Sequence, residues 1–315
     1  MRRAYRAPPE PRRAGRQGSL PTTLPAGSRA GGAEVVARTD GAARGAVVTG
    51  GAGGLGRAIG QALAAQGLRV RLADVDADAA AAAAAELPAA AAGVRLDVTD
   101  ASACAALADE VADTDGLAVW VNNAGVLPTG PAWTNGPAEV ERAFAVNVHG
   151  LMHGTTAALA RMRSRGGHIV NVVSLAGLVA APGETVYAAT KHAALAYTVG
   201  TALDLRHHRV RGVHLSAVCP DGIWTPMLHD KLDDPEAALS FSGGRTLLHP
   251  EQVAAAVADV LARPRLVVSV PRWRGGLARL YAATPGLART VLPVVLADAR
   301  RKQRRFAAKI RGGRA

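Results

Sequence analysis

Cysteine is almost missing from this chain. Its 315 residues include only Cys104 and Cys219, too few for a disulfide framework, so a reducing, cytoplasmic setting is expected. No apolar run reaches the roughly 18 residues that a membrane-spanning helix needs. Aromatic residues make up 3% of the chain. None is interleaved with the arginines and no groove-reading motif accompanies them, which argues against nucleic acid as a partner. No metal site is expected either. Acids are scarce at the two ends: residues 263–315 hold fourteen Arg and Lys against Asp298 alone, and residues 1–44 hold nine Arg against three acids. The stretch between, 45–262, carries fourteen bases and twenty-one acids. The formal charge of +12 therefore belongs to the ends, and the body is mildly acidic.

Hydrophobic residues are 49% of the chain and glycines number 35, which suits a globular α/β protein large enough for a sizeable core. Residues 1–44 are Arg, Pro, Gly and Ala without apolar periodicity and read as a disordered, dispensable extension. Prolines at positions 8, 9 and 11 oppose the amphipathic helix of a targeting peptide.

Ordered sequence begins with a short apolar strand, Ala46–Thr49, followed by Gly50-Gly-Ala-Gly-Gly-Leu-Gly56 and a helix over 57–65. Strand, glycine loop, helix is the context in which backbone N–H groups and a helix N-terminus can receive a pyrophosphate. A second strand, 68–73, ends at Asp74, about 20 residues past the loop, where a carboxylate can accept hydrogen bonds from ribose hydroxyls and repel a 2′-phosphate. NAD is thereby favoured over NADP, and Arg57 is the one residue that could soften this preference. A helix over 76–87 and a third strand ending in Leu96-Asp97-Val98 come next. Asp97 is placed either to meet an adenine or to cap the following helix. Further strands are read at 117–121, 168–173, 210–218 and 266–270, with helices between them. The fold expected is α/β: one Rossmann-type domain with a doubly wound, seven-stranded parallel sheet and helices on both faces.

Within this frame, Tyr187 and Lys191 stand four apart on a helix, with Ser174 thirteen positions earlier. Residues four apart share a helix face. An ammonium beside a phenol favours the phenolate and moves its pKa toward a working range for proton transfer. By itself such a pair also fits a buried tyrosine beside a solvated lysine.

Taken together, the motifs resemble the short-chain dehydrogenase/reductase family over roughly 45–270. They are Thr49-Gly50-x-x-x-Gly54-x-Gly56, Asn122-Asn123-Ala124-Gly125, Asn147 in Asn-Val-His-Gly, Ser174, and Tyr187-x-x-x-Lys191. The resemblance implies a catalytic set of Asn147, Ser174, Tyr187 and Lys191. Tyr187 is the general acid or base, and Lys191 tunes it and holds the nicotinamide ribose. Ser174 binds the substrate oxygen, and the Asn147 carbonyl holds a water. Cofactor contacts are implied from Gly50, Gly53, Gly54, Leu55, Gly56, Asp74, Asp97, Val98, Asn123, Ala124, Gly125, Tyr187, Lys191, Pro220, Gly222, Ile223 and Thr225. Here Pro220-Asp221-Gly222 places an acid where the family usually has a small residue, which puts the geometry of that loop in question.

The implied activity is interconversion of a hydrophobic secondary alcohol and its ketone with NAD, the pocket being apolar through 178–181 and a variable substrate segment at about 221–249. The rival reading is a non-catalytic NAD-sensing or membrane-associated scaffold. The family commonly forms homodimers or homotetramers through the helices carrying Asn147 and Tyr187, and the same is expected here. Residues 271–315 read as a basic amphipathic tail, suited either to peripheral contact with an anionic membrane or to covering the subunit or its neighbour.

Overall fold

The computed structural model describes residues 44–88, 91–243 and 247–311; all but the last residue of the N-terminal extension lies outside them. Seven strands form one parallel sheet in the order β3-β2-β1-β4-β5-β6-β7. They are β1 (Arg44–Thr49), β2 (Leu68–Asp74), β3 (Ala92–Arg95), β4 (Leu117–Asn122), β5 (Gly167–Val172), β6 (Val213–Pro220) and β7 (Val267–Val270). The chain order reverses between β1 and β4. In an open parallel sheet a ligand sits outside the strand carboxyl ends at that reversal.

The central strands β1, β4, β5 and β6 form because they are buried on both faces. In β1, Ala46 and Val48 join a core under α1 (Gly54–Ala64) and α7 (Pro250–Ala262), while Val47 joins the opposite core. That second core lies under α3 (Ala101–Thr114) and α5 (Leu151–Met162). Each fully buried Val or Leu contributes about 1.5–3 kcal/mol. Arg69 and Arg71 on β2 both pair with the buried carboxylate of Asp115, just before β4.

The third strand is shorter than the sequence suggests. Its last pairing is Arg95 with Asp74, so β3 stops where β2 stops. Leu96, Asp97 and Val98 lie beyond it as a turn in which Asp97 accepts from Thr99 N. The helix expected over 76–87 is α2 (Ala77–Ala85), capped by the Asp76 side chain.

α4 (Pro137–Phe144) runs through a wider π-helical turn, Ala145–Gly150, into α5. α6 (Thr185–His207) carries Tyr187 and Lys191. Beyond β7 the chain is not a free tail. It forms α8 (Arg272–Ala283) and α9 (Pro285–Arg311), and both pack back on the segment that follows β6. Gln303 is buried and donates to the carbonyls of Lys231 and Asp234, at 2.9 and 2.6 Å. Phe306 packs with Trp224 and Phe241.

Candidate active site

The carboxyl edge of the sheet opens into one cleft of about 740 Å³. The glycine loop forms its floor. Gly50 has φ +62°, and a Cβ on Gly56 would lie 2.0 Å from the Gly50 carbonyl oxygen, so the turn closes on itself only with glycine there. Gly53, by contrast, is exposed, and a Cβ there would make only ordinary contact, 3.6 Å from the Gly50 carbonyl oxygen. A phosphate-sized group can approach the α1 N-terminus from this side.

Asp74 ends β2 beside the loop, its Oδ2 accepting from Ala52 N at 3.1 Å. Arg57 is engaged elsewhere, in an ion pair with Glu86. Asp97 and Val98 also line the cleft. The cap of α3 is Asp100, so Asp97 is not that helix's cap.

The Asn-Asn-Ala-Gly stretch divides its work. Asn122 is buried; it accepts from Trp120 Nε1 and donates to Asn171, tying β4 to β5. Asn123 donates its side-chain amide to the carbonyls of Thr49 and Gly50, at 3.0 and 3.1 Å. It therefore clamps the glycine loop to β4. Gly125 faces Asn147 Oδ1 and Lys191 Nζ, and a side chain there would press on both.

Ser174 follows β5 and caps a short turn through Ala176 N→Oγ, 3.1 Å. Capping and facing the cleft are compatible, because the accepted bond leaves its O–H free to donate. The Ser174 side chain lines the same cleft as Tyr187 and acts to lower the pKa of the phenol. Lys191 is buried, donates Nζ to the Val172 carbonyl at 3.1 Å, and lies 5.6 Å from the Tyr187 ring centroid.

The sequence suggests that Lys191 depresses the Tyr187 pKa. In the folded chain burial outweighs this: desolvation pushes the Tyr187 hydroxyl above its ordinary value, the Ser174 side chain pulls it down, and the Glu184 charge pushes it up. Burial likewise pushes the Lys191 ammonium down to about 8.

Asn147 does not line the cleft. Its buried side chain exchanges bonds with the backbone of Val126, at 2.8 and 2.9 Å, and donates to Thr190 Oγ1. Thr190 in turn donates to the Tyr187 carbonyl at 2.7 Å. The π-helical turn and α6 are joined through this pair.

On the far side, Pro220, Gly222, Ile223 and Thr225 complete the wall. Asp221 answers the question its sequence position raises. Its carboxylate pairs with Arg274 Nε of α8 at 2.7 Å and accepts from Gly222 N. A Cβ on Gly222 would sit 1.9 Å from the Ser240 carbonyl oxygen, so the substrate segment closes directly on this glycine.

Sequence reasoning missed Glu184, Thr190, Arg274 and the lining from α8 and α9. Glu184 is buried in the cleft, accepting from Ser240 N and Oγ at 3.1 and 2.7 Å, and burial raises it to about 7. An acid at 221 was the available signal for Arg274, since a buried carboxylate needs a cation.

A switch-point cleft with a glycine-loop floor and a Ser–Tyr–Lys set defines a dinucleotide-binding oxidoreductase. The short chain dehydrogenase family model matches residues 44–236. Cyclopentanol dehydrogenase of Comamonas sp. (strain NCIMB 9872) is 36% identical over 219 residues, 67% of this chain and 86% of that protein. The 1-deoxy-11-beta-hydroxypentalenate dehydrogenase of Streptomyces exfoliatus is 38% identical over 230 residues, 70% and 81%. A short chain dehydrogenase/reductase from Burkholderia phymatum, solved in complex with NAD, superposes with a TM-score of 0.71 at 29% identity. That match covers 78% of this chain and 95% of the other. The chain belongs to the short-chain dehydrogenase family and is an oxidoreductase of CH–OH groups that uses a nicotinamide dinucleotide.

Proposed function

We propose that this protein interconverts a hydrophobic secondary alcohol and its ketone with NAD, Tyr187 serving as general acid and base. The observation that carries the reading is that Ser174, Tyr187 and buried Lys191 together line a glycine-floored cleft. The relatives named for cyclopentanol and for 1-deoxy-11-beta-hydroxypentalenate support an alicyclic alcohol.

The residues present fit the dinucleotide. The exposed Gly53 and the α1 N-terminus would take the pyrophosphate, Asp74 the adenosine ribose, and Thr225 and Lys191 the nicotinamide end. The bound nicotinamide supplies the hydride acceptor or donor. The rest belongs to the chain. Ser174 holds the substrate oxygen by donating from a hydroxyl already fixed by Ala176 N, so little reorganisation is needed as charge develops. Desolvation keeps Tyr187 protonated at neutral pH, ready to donate to a ketone oxygen. For oxidation its proton must leave first, and Lys191, held near neutrality by burial, is the adjacent group that can stabilise the resulting phenolate.

Support for NAD over NADP is the half-buried Asp74 carboxylate at the loop, which lines the cleft, together with the commitment of Arg57 to Glu86. The test is nicotinamide absorbance over secondary alcohols and ketones with both cofactors. NAD-preferring turnover that falls about 10²–10⁴-fold in Tyr187→Phe is expected. Unchanged turnover in that variant would remove Tyr187 from the mechanism.

A further inference from the structure

The cleft runs past the catalytic hydroxyls to a wall that the family match, ending at residue 236, does not include. Leu277 and Tyr281 of α8 and Val291, Leu292 and Val295 of α9 line it. We infer that the α8–α9 hairpin is the substrate-selecting wall of this enzyme, and that it selects an alcohol or ketone with a long or polycyclic hydrocarbon body over small alcohols. The inference rests on the reading of Ser174 and Tyr187 as the reacting centre.

Two features support it. The first is chemical: the five named side chains present aliphatic surface and one phenol ring to the cleft, with no charge among them. A hydrocarbon reaching this wall leaves water along its length, whereas a sugar or phosphate would lose hydration without compensation. The second is mechanical: the hairpin is fixed at both ends to the segment after β6. At its start, Arg274 holds Asp221 and donates Nη2 to Ser242 Oγ at 2.8 Å. At its end, Lys302 donates to the Gly243 carbonyl at 2.8 Å and Gln303 to those of Lys231 and Asp234. The lining residues lie between these anchors, so their distance from Ser174 is set by the anchors. Arg274 is thus a positioning residue: it fixes α8 to the loop that also carries Gly222.

Full-length protein is assayed on 2-alkanols from 2-propanol to 2-dodecanol with NAD, and binding of 2-dodecanone is followed separately by intrinsic fluorescence. Wild-type kcat/KM is expected to climb with chain length, by up to about fourfold per methylene buried. In Val291→Trp, which fills the wall, and in Leu292→Ala, which enlarges it, the ratio of kcat/KM for the longest over the shortest alcohol changes at least tenfold. Arg274→Gln raises KM for long alcohols more than it lowers kcat, and the paired swap Asp221→Arg with Arg274→Asp restores part of the loss. Thermal melts identify any variant that has failed to fold, and Val291→Ala then replaces it. An unchanged ratio in correctly folded variants overturns the wall, as does a wild type that does not bind 2-dodecanone. Binding that responds to the variants, without turnover of any alcohol, keeps the wall and instead overturns the catalytic reading.

Discussion

Glu184 has its carboxylate buried three residues before Tyr187, and burial raises it from 4.5 to about 7. The acids Asp234 and Asp221 push in the same direction, while the two Ser240 bonds oppose them. A raised carboxyl is favoured in its neutral form by the fold. Its stabilising contribution is therefore complete below pH 4.5 and lost as pH rises through about 7, a swing of at most about 3 kcal/mol. Because the Glu184 charge also pushes Tyr187 upward, its ionisation works against alcohol oxidation. Glu184→Gln keeps an acceptor for Ser240 and removes the titration. Melting temperatures at pH 5.5 and 8.0 are expected to diverge less in this variant than in wild type, and equal divergence would rule the role out. Asp74 has a simpler test at the same scale. With Asp74→Ser and Val75→Arg together, an anion repelling a 2′-phosphate becomes a cation attracting it, and the NADP/NAD preference in kcat/KM is expected to rise at least tenfold.

Elements were more legible than their partners. Doubly buried strands read as apolar runs ending in Gly, Asn or Asp, so β1, β2 and β4 could be placed within a residue or two, and the site motifs with them. The third strand misled because Leu96 N makes the last bond to β2, to the Asp74 carbonyl at 2.7 Å, and Val98 beyond it is apolar for packing rather than pairing. The amphipathic character of 277–296 was legible as well, but not what it covers, since Asp221, Ser242 and the Lys231 carbonyl lie some 30–70 residues from their partners in sequence. Gly222 shows the same limit. Its glycine reads as loop flexibility, yet the structure requires it because the Ser240 carbonyl passes where a side chain would stand. Gly222→Ala must push the Pro235–Phe241 turn outward. Expected results are a several-fold higher KM for both cofactor and alcohol and a lower melting temperature; unchanged constants would mean that the close approach has no consequence.

For the molecule as a whole, the question is where the basic end directs its charge. Some is spent internally, through Arg274 on Asp221 and Arg311 on Asp233. Arg300, Arg301, Arg304 and Arg305 remain on the exposed side of α9. On the same hairpin, Trp273, Leu280, Leu287 and Val294 stand exposed at seven-residue intervals. No helix among the described residues is long and apolar enough to cross a membrane. Exposed apolar side chains on a hairpin that also carries uncompensated cations complement an anionic lipid surface, each cation near it adding about 1 kcal/mol. Pelleting with phosphatidylserine-containing vesicles is therefore expected at low salt. Binding should weaken as ionic strength shortens the screening length and fall at least tenfold when the four arginines become glutamine. Pelleting that ignores both lipid charge and salt would instead assign the exposed apolar side chains to a neighbouring copy of the chain, and light scattering would then find its assembly state altered by Leu287→Glu.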